Sequence, residues 1–362
     1  MHDRLGVLLD ASTVRPEQAG VKTYALGLAG ALARHVDLHV AGAPGLGFEE
    51  LGLASFQPLE TDLRDPLRRA AWRERSLGRL AGRLGADRVV SPVHELPLRR
   101  LPVPAAITIH DVGPLVAPAL YGRARWLRYS ATLPRSCRAA AVIVCVSEAT
   151  RLDVHRALGV APARMTVIGG APQPLHAPPG PREEPAEPLF LHAGAGLPHK
   201  NLRTLAAAFA RDDAPPGRLV LAGPVYAARE RAEFERLQAG GARVEYRGFV
   251  APAELARLYA QATCVVLPTL HEGFGMTVLE GFQAGVPVVA SRLPVIEEVA
   301  GDAAWLVDRP LEPAGWAAAL SRVAGDGALR RELVERGTRR LAAHTWAGVG
   351  ERWAALLAGA AR

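Results

Sequence analysis

Short apolar runs of strand length alternate with helical or turn segments along the first half of this 362-residue chain. Each run is followed by a polar or helix-forming stretch. Strands separated in this way are typical of a parallel sheet that helices cover on both faces. The alternation therefore predicts a doubly wound α/β domain. Its predicted strands are residues 5–10, 38–41, 88–91, 105–110 and 141–146.

A proline-rich segment interrupts this alternation at residues 171–188. It holds seven prolines, and proline fixes φ and removes a backbone donor, so regular structure cannot continue through it. The alternation then restarts, and the chain is longer than one typical domain. We therefore predict two doubly wound α/β domains, residues 1–170 and 171–345. The second has predicted strands at 189–193, 219–222, 244–246, 264–267 and 286–290, and helices at 202–211 and 252–261.

The net positive charge of the chain is confined to its first 170 residues. Residues 1–170 hold 22 Lys plus Arg against 15 Asp plus Glu, whereas residues 171–362 hold 21 of each. This excess fits peripheral contact with an anionic membrane face, attraction of an anionic acceptor, or a solvated arginine-rich helix surface. Nucleic acid is not an expected partner, because the basic residues are not interleaved with aromatic residues and no binding motif occurs.

The apolar runs are too short for a membrane or secretory segment. The longest, residues 139–146, has strand length, whereas a spanning helix needs about 20 apolar residues. Residues 5–9 are too few for a secretory signal. The three cysteines lack Cys-x-x-Cys spacing, so disulfides and structural zinc are not expected. We expect a cytoplasmic protein, either free or peripheral at the inner membrane face.

Residues 271–280, HEGFGMTVLE, carry the strongest functional pattern. Gly273 and Gly275 allow a close approach of the backbone to a ligand, and a helix that begins near Met276 directs N–H groups and a positive dipole end at it. A diphosphate fits this description. Glu272 precedes the turn, and Glu280 lies in the helix, where a ribose diol would satisfy its carboxylate. The alternative is a tight turn, with Glu280 bonded to a basic side chain.

The Glu-x7-Glu spacing in EGFGMTVLEGFQAGVPVVAS closely resembles the signature of the family-4 type GT-B glycosyltransferases, which are retaining enzymes. The resemblance implies two Rossmann-like domains facing across a cleft and a nucleoside diphosphate sugar as donor substrate, with no cofactor. Asp-x-Asp is absent, so no metal is implied. In such proteins the last helix crosses back to the first domain, which implies that residues 346–362 pack on residues 1–170. The alternative is an ordinary terminal helix on its own domain.

Residues 191–201 run from a predicted strand through a glycine loop and resemble the family segment G-x-x-x-x-P-R-K-N. Lys200 and Asn201 match this segment. The resemblance implies that Lys200 neutralises the diphosphate, and the alternative is a surface lysine at a helix start. The chain departs from the family at His199 and Ala195, where members carry Arg.

In the first domain, His110 and Asp111 follow a predicted strand and resemble the family's His-Asp pair. The resemblance implies that His110 faces the donor sugar. Ala19-Gly20 resembles a Gly-Gly loop whose first glycine is replaced, so backbone contact with the donor is assigned to Gly20. Gly248 and Phe249 resemble the loop that receives the nucleobase. The resemblance thus implies catalytic roles for His110, Lys200 and Glu272, and donor binding by Gly20, Lys200, Gly248, Phe249, Glu272, Gly273, Phe274, Gly275, Met276 and Glu280.

The sequence therefore predicts a retaining glycosyltransferase that moves a sugar from a nucleoside diphosphate to a hydroxyl acceptor. That acceptor is a glycan, a lipid-linked glycan or a small natural product. Two alternatives stay open: a nucleotide-sugar epimerase, and a non-catalytic subunit that binds nucleotide sugar. The departures at Ala19, Ala195 and His199 keep the non-catalytic alternative open, because each removes a feature that holds the donor in the family.

Overall fold

The computed structural model describes residues 4–16, 19–59, 65–173, 187–225, 228–241 and 243–359. The chain forms two compact units. The first runs from residue 4 to Ala171 and from His344 to residue 359, and the second runs from Pro172 to Ala343. Most of the proline-rich segment that separates the predicted domains, residues 174–186, lies outside the described residues.

The first unit is built on a seven-stranded sheet in which all neighbouring strands are parallel. The spatial order is β3-β2-β1-β4-β5-β6-β7, so the direction of winding reverses between β1 and β4. A ligand site is expected at the carboxyl ends of the strands beside this reversal. The strands are β1 Gly6–Ala11, β2 Asp37–Gly42, β3 Ser55–Pro58, β4 Arg88–Ser91, β5 Ala105–Ile109, β6 Val142–Cys145 and β7 Met165–Val167.

Helices cover the sheet because its central strands are buried on both faces. A π-helical turn, Arg73–Leu77, joins two of them. Ser147 caps one helix by accepting a hydrogen bond from the Thr150 amide. The helices are α1 Ala19–Leu32, α2 Pro66–Trp72, α3 Gly78–Arg83, α4 Gly113–Val116, α5 Pro118–Tyr121, α6 Arg123–Ala139 and α7 Glu148–Leu158.

The second unit has a six-stranded parallel sheet in the order β10-β9-β8-β11-β12-β13, which reverses between β8 and β11. Its strands are β8 Leu189–Ala193, β9 Arg218–Ala222, β10 Val244–Gly248, β11 Cys264–Leu267, β12 Val288–Ser291 and β13 Ala304–Val307. Its helices are α8 Leu202–Phe209, α9 Ala228–Ala239, α10 Pro252–Gln261, α11 Met276–Gln283, α12 Pro294–Ala300, α13 Pro313–Gly325 and α14 Gly327–Leu341.

The last helix, α15 (Trp346–Gly359), belongs to the first unit and packs on α1. Glycines on both helices allow the close approach. A Cβ on Gly27 would lie 2.1 Å from the Trp346 ring, and one on Gly350 would lie 2.8 Å from the Ala31 side chain. Trp353 is fully buried at this contact.

The prediction of two Rossmann-like domains with parallel sheets is confirmed. Three short strands, β3, β7 and β13, were not predicted. They have three or four residues each, and all three lie at sheet edges. The sequence pattern predicts a loop at residues 11–20 and a helix from Val21 to Arg34, whereas α1 spans Ala19–Leu32. All three cysteines are buried and unpaired as disulfides. Within the described residues, no helix has the length and apolar composition needed to cross a bilayer.

Candidate active site

Two loops at the carboxyl ends of β8 and β11, together with α11, hold most of the predicted donor-binding residues. These strands are neighbours in the sheet, and the winding reverses between them. The first loop ends in a short 3₁₀ turn, Pro198–Lys200, and the second leads into α11. Parallel strands bring their carboxyl ends to one edge, so side chains distant in sequence meet there.

Lys200 and Glu272 form an ion pair between these two loops. Lys200 Nζ lies 2.5 Å from Glu272 Oε1, and the two side chains are 22% and 13% exposed. Burial alone would raise the pKa of Glu272. The Lys200 charge and hydrogen bond, together with His199 and Thr269, hold that pKa below its usual value. Glu272 is therefore an ionised, mostly buried carboxylate at neutral pH.

The backbone around this pair is fixed by Asn201 and Thr269. Asn201 adopts a left-handed conformation with φ 55°, and its side-chain amide donates to the carbonyls of Pro268 (3.0 Å) and Pro310 (2.7 Å). The Thr269 hydroxyl lies within hydrogen-bond distance of the His199 and His271 carbonyls. These contacts join the loops after β8, β11 and β13.

Gly275 forms the turn into α11. Its φ is 89°, and a Cβ there would lie 2.8 Å from Ile296 Cδ1, so any other residue is strained in conformation and in packing. Gly275 is the N-cap residue of α11 and, having no side chain, makes no side-chain cap hydrogen bond. The first N–H groups of α11 lack intrahelical acceptors and carry the positive dipole end. Gly273, Phe274 and Met276 lie in this turn and its first helical position.

Glu280 lies one turn further along α11 and is half-buried. The Tyr259 hydroxyl donates a hydrogen bond to its Oε2 at 2.9 Å. Burial raises the pKa of Glu280, which the Tyr259 bond and the Lys200 charge partly offset. The partner is a tyrosine on α10, not a basic side chain. No sequence motif indicates this role for Tyr259, because its position on α10 is that of an ordinary core residue.

The predicted nucleobase loop follows β10. Gly248 has φ 63° and its carbonyl accepts a hydrogen bond from the Gly223 amide at 2.7 Å. Phe249 is 82% exposed, so its ring lies on the surface of the unit. A Cβ on Gly223 would lie 2.0 Å from the Gly194 carbonyl oxygen. Close packing of the ends of β8, β9 and β10 therefore requires glycine at position 223. No sequence motif indicates this requirement.

His192 is a further buried polar group at this edge that sequence reasoning missed. Its Nδ1 lies 3.0 Å from the Val266 carbonyl, which can only accept, so Nδ1 carries the proton. Burial lowers the pKa of His192 to about 4, so the ring is neutral. Its Nε2 has no hydrogen-bond partner among the described residues.

In the first unit, His110 follows β5. Its Nε2 lies 2.7 Å from the Pro92 carbonyl and therefore carries the proton. Burial lowers the pKa of His110, although the Pro92 bond and Asp111 act in the opposite direction. The neutral ring then presents Nδ1 as a hydrogen-bond acceptor. The family resemblance implies that His110 faces the donor sugar, but it does not indicate which ring nitrogen carries the proton. Asp111 Oδ1 accepts from the Gly113 amide.

The surroundings of His110 come from distant parts of the chain. Tyr24 of α1 is buried, and the Trp353 Nε1 donates to its hydroxyl at 3.3 Å.

Gly20 is the second residue of α1, and nothing lies within 4 Å of a Cβ built there. Helical geometry, not a positive φ, therefore describes Gly20 in this structure.

The predicted residues thus fall into two groups. Lys200, Glu272, Glu280 and the turn at Gly275 lie together in the second unit, with Gly248 at the same sheet edge. His110 and Gly20 lie in the first unit. No group of three or more potential metal-ligating side chains occurs among the residues that the structure describes.

Two family models match the chain. Residues 178–340 match the model described as Glycosyl transferases group 1, and residues 19–171 match the one described as Glycosyltransferase Family 4. Each match covers most of one structural unit.

Curated relatives include the O-antigen chain mannosyltransferase B of Escherichia coli, which is 30% identical over 224 residues. That match covers 56% of this chain and 57% of the relative. The D-inositol 3-phosphate glycosyltransferase of Corynebacterium diphtheriae is 32% identical over 162 residues, which cover 43% of this chain and 38% of the relative. The chain therefore matches about two fifths to three fifths of the length of these proteins.

Solved structures share the fold over nearly the whole chain. The sucrose-phosphate synthase of Thermosynechococcus elongatus has a TM-score of 0.77 and 18% identity, with 98% of this chain and 99% of that chain covered. Anabaena HepE in complex with UDP-glucose has a TM-score of 0.74 and 17% identity, with 98% and 100% covered. The solved structures thus share the GT-B fold, and the two family models, which together span residues 19–171 and 178–340, identify the chain as a glycosyltransferase of the group 1 and family-4 type.

Proposed function

We propose that the chain transfers a hexose from a nucleoside diphosphate sugar to a hydroxyl acceptor with retention of anomeric configuration. The Lys200–Glu272 pair beside the start of α11 carries this proposal. An ammonium group, a helix N-terminus and an ionised carboxylate converge at one sheet edge. These are the groups that a diphosphate and a hydroxylated sugar require.

The diphosphate is the charge that must be stabilised as it leaves. Lys200 supplies a flexible cation, and the N–H groups at the start of α11 supply fixed donors. The Lys200 side chain is 22% exposed, and its charge stabilises an anion more strongly there than in bulk solvent. His199 stands where the family carries Arg, and its charge helps to lower the pKa of Glu272.

The two carboxylates bind the neutral parts of the donor. Glu272 is ionised and accepts hydrogen bonds from sugar hydroxyls, and Glu280 accepts from the ribose diol while Tyr259 orients it. Gly248 and Phe249 provide the nucleobase loop. In the first unit, we assign backbone contact with the donor to Gly20 and contact with the donor sugar to His110.

Retention follows from same-face attack. The acceptor oxygen forms its bond to the anomeric carbon as the bond to the diphosphate oxygen breaks, and that oxygen takes the acceptor proton. No protein nucleophile is required. Neutral His110 offers Nδ1 as an acceptor to a sugar hydroxyl, since its Nε2–H is bonded to Pro92.

The relatives guide the choice of donor. HepE was solved with UDP-glucose, so UDP-hexoses are the first donors to test. Two relatives are named for different substrates, an O-antigen chain and D-inositol 3-phosphate, so acceptor identity does not transfer with the family. The curated relatives described above are named as transferases, and nothing favours the epimerase alternative.

The decisive experiment measures donor binding and nucleotide release together. A matching nucleoside diphosphate sugar, found in a panel of UDP-, GDP-, ADP- and TDP-sugars, raises the melting temperature by mass action. Lys200→Met then lowers the rate of nucleotide release by about 100-fold or more. Arg203→Met removes a charge from the adjacent helix α8 and serves as the control. Equal rates in both variants, or a product of inverted configuration by NMR, would refute the proposal.

We also propose that the first unit docks peripherally on an anionic membrane at the cytoplasmic face. The start of α6 presents Arg123, Arg125, Trp126 and Leu127, with Trp126 41% and Leu127 59% exposed. Guanidinium groups beside exposed apolar side chains suit a lipid surface with negative headgroups.

Cosedimentation with vesicles tests this docking. Arg123→Gln/Arg125→Gln should reduce binding to phosphatidylglycerol vesicles, with a loss of about 1 kcal/mol per charge. Arg135→Gln/Arg138→Gln removes the same charge from the far end of α6 and should have little effect. Equal losses in the two double variants would indicate only a general charge effect and reject the docking surface.

A further inference from the structure

His94 is a buried histidine of the first unit to which the mechanism above gives no role. It lies in the loop after β4, three residues beyond Ser91, and is 8% exposed. The winding of the sheet reverses beside β4, and ligands of open α/β sheets bind at the carboxyl ends of the strands at such a reversal. His94 therefore lies where the first unit is expected to bind a substrate.

One nitrogen of the His94 ring is unsatisfied. Its Nε2 is buried and has no hydrogen-bond partner among the described residues. A neutral imidazole carries one N–H donor and one acceptor, so Nε2 is an unpaired donor in one tautomer and an unpaired acceptor in the other. Burial of such a group without a partner is costly. A ligand that pairs with Nε2 removes this cost.

Burial keeps the His94 ring neutral, because it lowers the pKa of His94 to about 4. Glu95 and Asp111 act to raise this pKa, whereas Arg128 and His110 act to lower it further. A neutral ring offers no charge to a phosphate or a carboxylate. A hydroxyl both donates and accepts, so it can pair with Nε2 in either tautomer. The partner that suits Nε2 is therefore a ligand hydroxyl.

Tyr129 of α6 lies beside His94 and is partly buried. The two ring centroids are 4.6 Å apart, and the ring planes are tilted by 51°. Burial raises the pKa of Tyr129, so its hydroxyl stays protonated at neutral pH. A tyrosine combines an apolar ring with a polar hydroxyl. A sugar ring combines apolar C–H groups with hydroxyls in the same way, so it can pack on Tyr129 while one hydroxyl reaches His94.

Asp111 brings a carboxylate to the same region. It follows β5, the neighbour of β4 in the sheet, and its charge acts on both His94 and Tyr129. Its Oδ1 accepts from the Gly113 amide at 2.8 Å. A carboxylate has about four lone-pair sites, so one amide leaves capacity for ligand hydroxyls. We call His94, Tyr129 and Asp111 the His94 group.

The His94 group lies close to His110. The His110 Nε2 is bonded to the carbonyl of Pro92, which stands two residues before His94. Two residues of extended chain span at most about 7 Å, and His110 acts on the pKa of His94. A sugar bound by the His94 group can therefore present a second hydroxyl beside His110.

We propose that the His94 group binds a sugar unit of a glycoside acceptor, and that His94 Nε2 pairs with a hydroxyl of that sugar other than the attacking one. This inference rests on the proposed function and names the class of its acceptor. The hydroxyl that pairs with His94 fixes the sugar, so that a different hydroxyl is presented for transfer. Because Nε2 is buried, a side chain beside it must shift to admit the ligand, and Tyr129 is the partly exposed neighbour on the ring.

Two rates measured with one nucleotide sugar separate the acceptor site from the donor site. Nucleotide release without an acceptor reports hydrolysis by water, and release with a panel of methyl hexosides reports transfer. In His94→Phe, hydrolysis should stay within about 2-fold of the unmodified protein, whereas KM for the best methyl hexoside should rise about 10-fold through loss of one hydrogen bond. His155→Phe, at an exposed position on α7, is the control and should change neither rate. Equal losses of hydrolysis and transfer in His94→Phe overturn the proposal.

Monodeoxy methyl hexosides identify the hydroxyl that pairs with His94. The unmodified protein should lose about 10-fold in kcat/KM with one monodeoxy acceptor, the one that lacks this hydroxyl. His94→Phe should show no further loss with that acceptor, because the interaction is already absent. A merely structural role weakens all acceptors alike. If the two proteins rank every monodeoxy acceptor identically, the proposal is overturned.

Two amide substitutions keep the test decisive if His94→Phe does not fold. A Gln side chain is long enough to place its amide near the position of Nε2, whereas the shorter Asn amide reaches only the position of Nδ1. His94→Gln should therefore retain part of the preference for the paired hydroxyl, and His94→Asn should lose it, with folding checked by circular dichroism. Equal preferences in the two variants overturn the proposal.

The same measurements distinguish failure of this inference from failure of the proposed function. If no nucleotide sugar raises the melting temperature of the unmodified protein, the donor assignment is refuted and the acceptor subsite with it. If a nucleotide sugar binds and is hydrolysed but no methyl hexoside accelerates nucleotide release, the sugar subsite alone is refuted.

Discussion

The ring of Tyr24 meets the ring of His110 edge to face, with centroids 4.8 Å apart and planes at 89°. Trp353 of α15 donates to the Tyr24 hydroxyl, and Trp346 of the same helix contacts the Tyr24 ring. The last helix of the chain therefore supports a residue at the end of β5. Residues far apart in sequence thus fix the orientation of His110.

Tyr24 substitutions should separate packing from hydrogen bonding. Tyr24→Phe keeps the ring and loses the Trp353 bond, so we expect a loss of about 1 kcal/mol in the free energy of unfolding. Tyr24→Leu also removes the ring contact with His110 and should lower kcat beyond its effect on stability. Chemical denaturation and nucleotide release measure the two quantities. Equal kcat in the two variants would show that the ring does not position His110.

The sequence predicted the parts of the fold that depend on local pattern. Apolar runs separated by helical segments predicted the central strands, and the glycine turn before α11 predicted the sheet edge to which we assign donor binding. The edge strands β3 and β7 were not predicted because they lack a continuous buried apolar run, whereas every residue of the equally short strands β4 and β6 is buried. Ser55-Phe56-Gln57-Pro58 also combines polar residues with a proline, which does not read as a strand.

The contacts that determine site chemistry were less accessible from sequence. Lys200 and Glu272 were each identified from a motif, but their pairing depends on β8 and β11 being neighbours. Tyr259, His192 and Gly223 belong to no motif, and their roles arise from burial against distant strand ends.

The acid stability of the second unit should depend on Lys200. The folded pKa of Glu272 is depressed, so its contribution to stability is present above its ordinary value of 4.5 and is lost as pH falls through the lower folded value. In Lys200→Met, burial dominates and raises this pKa, so the ionised carboxylate destabilises the fold at neutral pH. The melting temperature of the variant should therefore fall further below that of the parent at pH 7 than at pH 4. Arg203→Met is the control, and a pH-independent difference would contradict the coupling.

The contribution of Glu280 to stability should depend on pH in the opposite direction to that of Glu272. Its folded pKa is raised, mainly by burial, so its contribution favours the fold at low pH and is lost as pH rises through the folded value. Glu280→Gln retains an acceptor for the Tyr259 hydroxyl without the charge. We expect a higher melting temperature at pH 7 and weaker binding of the nucleotide sugar. A variant that is less stable at pH 7 would show that the carboxylate is satisfied without a ligand.

Gly275 and Gly285 offer a matched test of the turn into α11. Both have positive φ, 89° and 65°, but a Cβ at 285 meets nothing within 4 Å, whereas one at 275 would lie 2.8 Å from Ile296 Cδ1. Gly285→Ala should cost about 1–2 kcal/mol for the left-handed conformation alone. Gly275→Ala adds the clash and should cost more. It should also weaken nucleotide-sugar binding, because relief of the clash displaces the first turn of α11.

Denaturant titration and calorimetry measure the two effects, and Ile296→Val should restore part of the stability of Gly275→Ala but none of that of Gly285→Ala. If Ile296→Val restores both equally, the side chain of Ile296 is not what requires glycine at position 275.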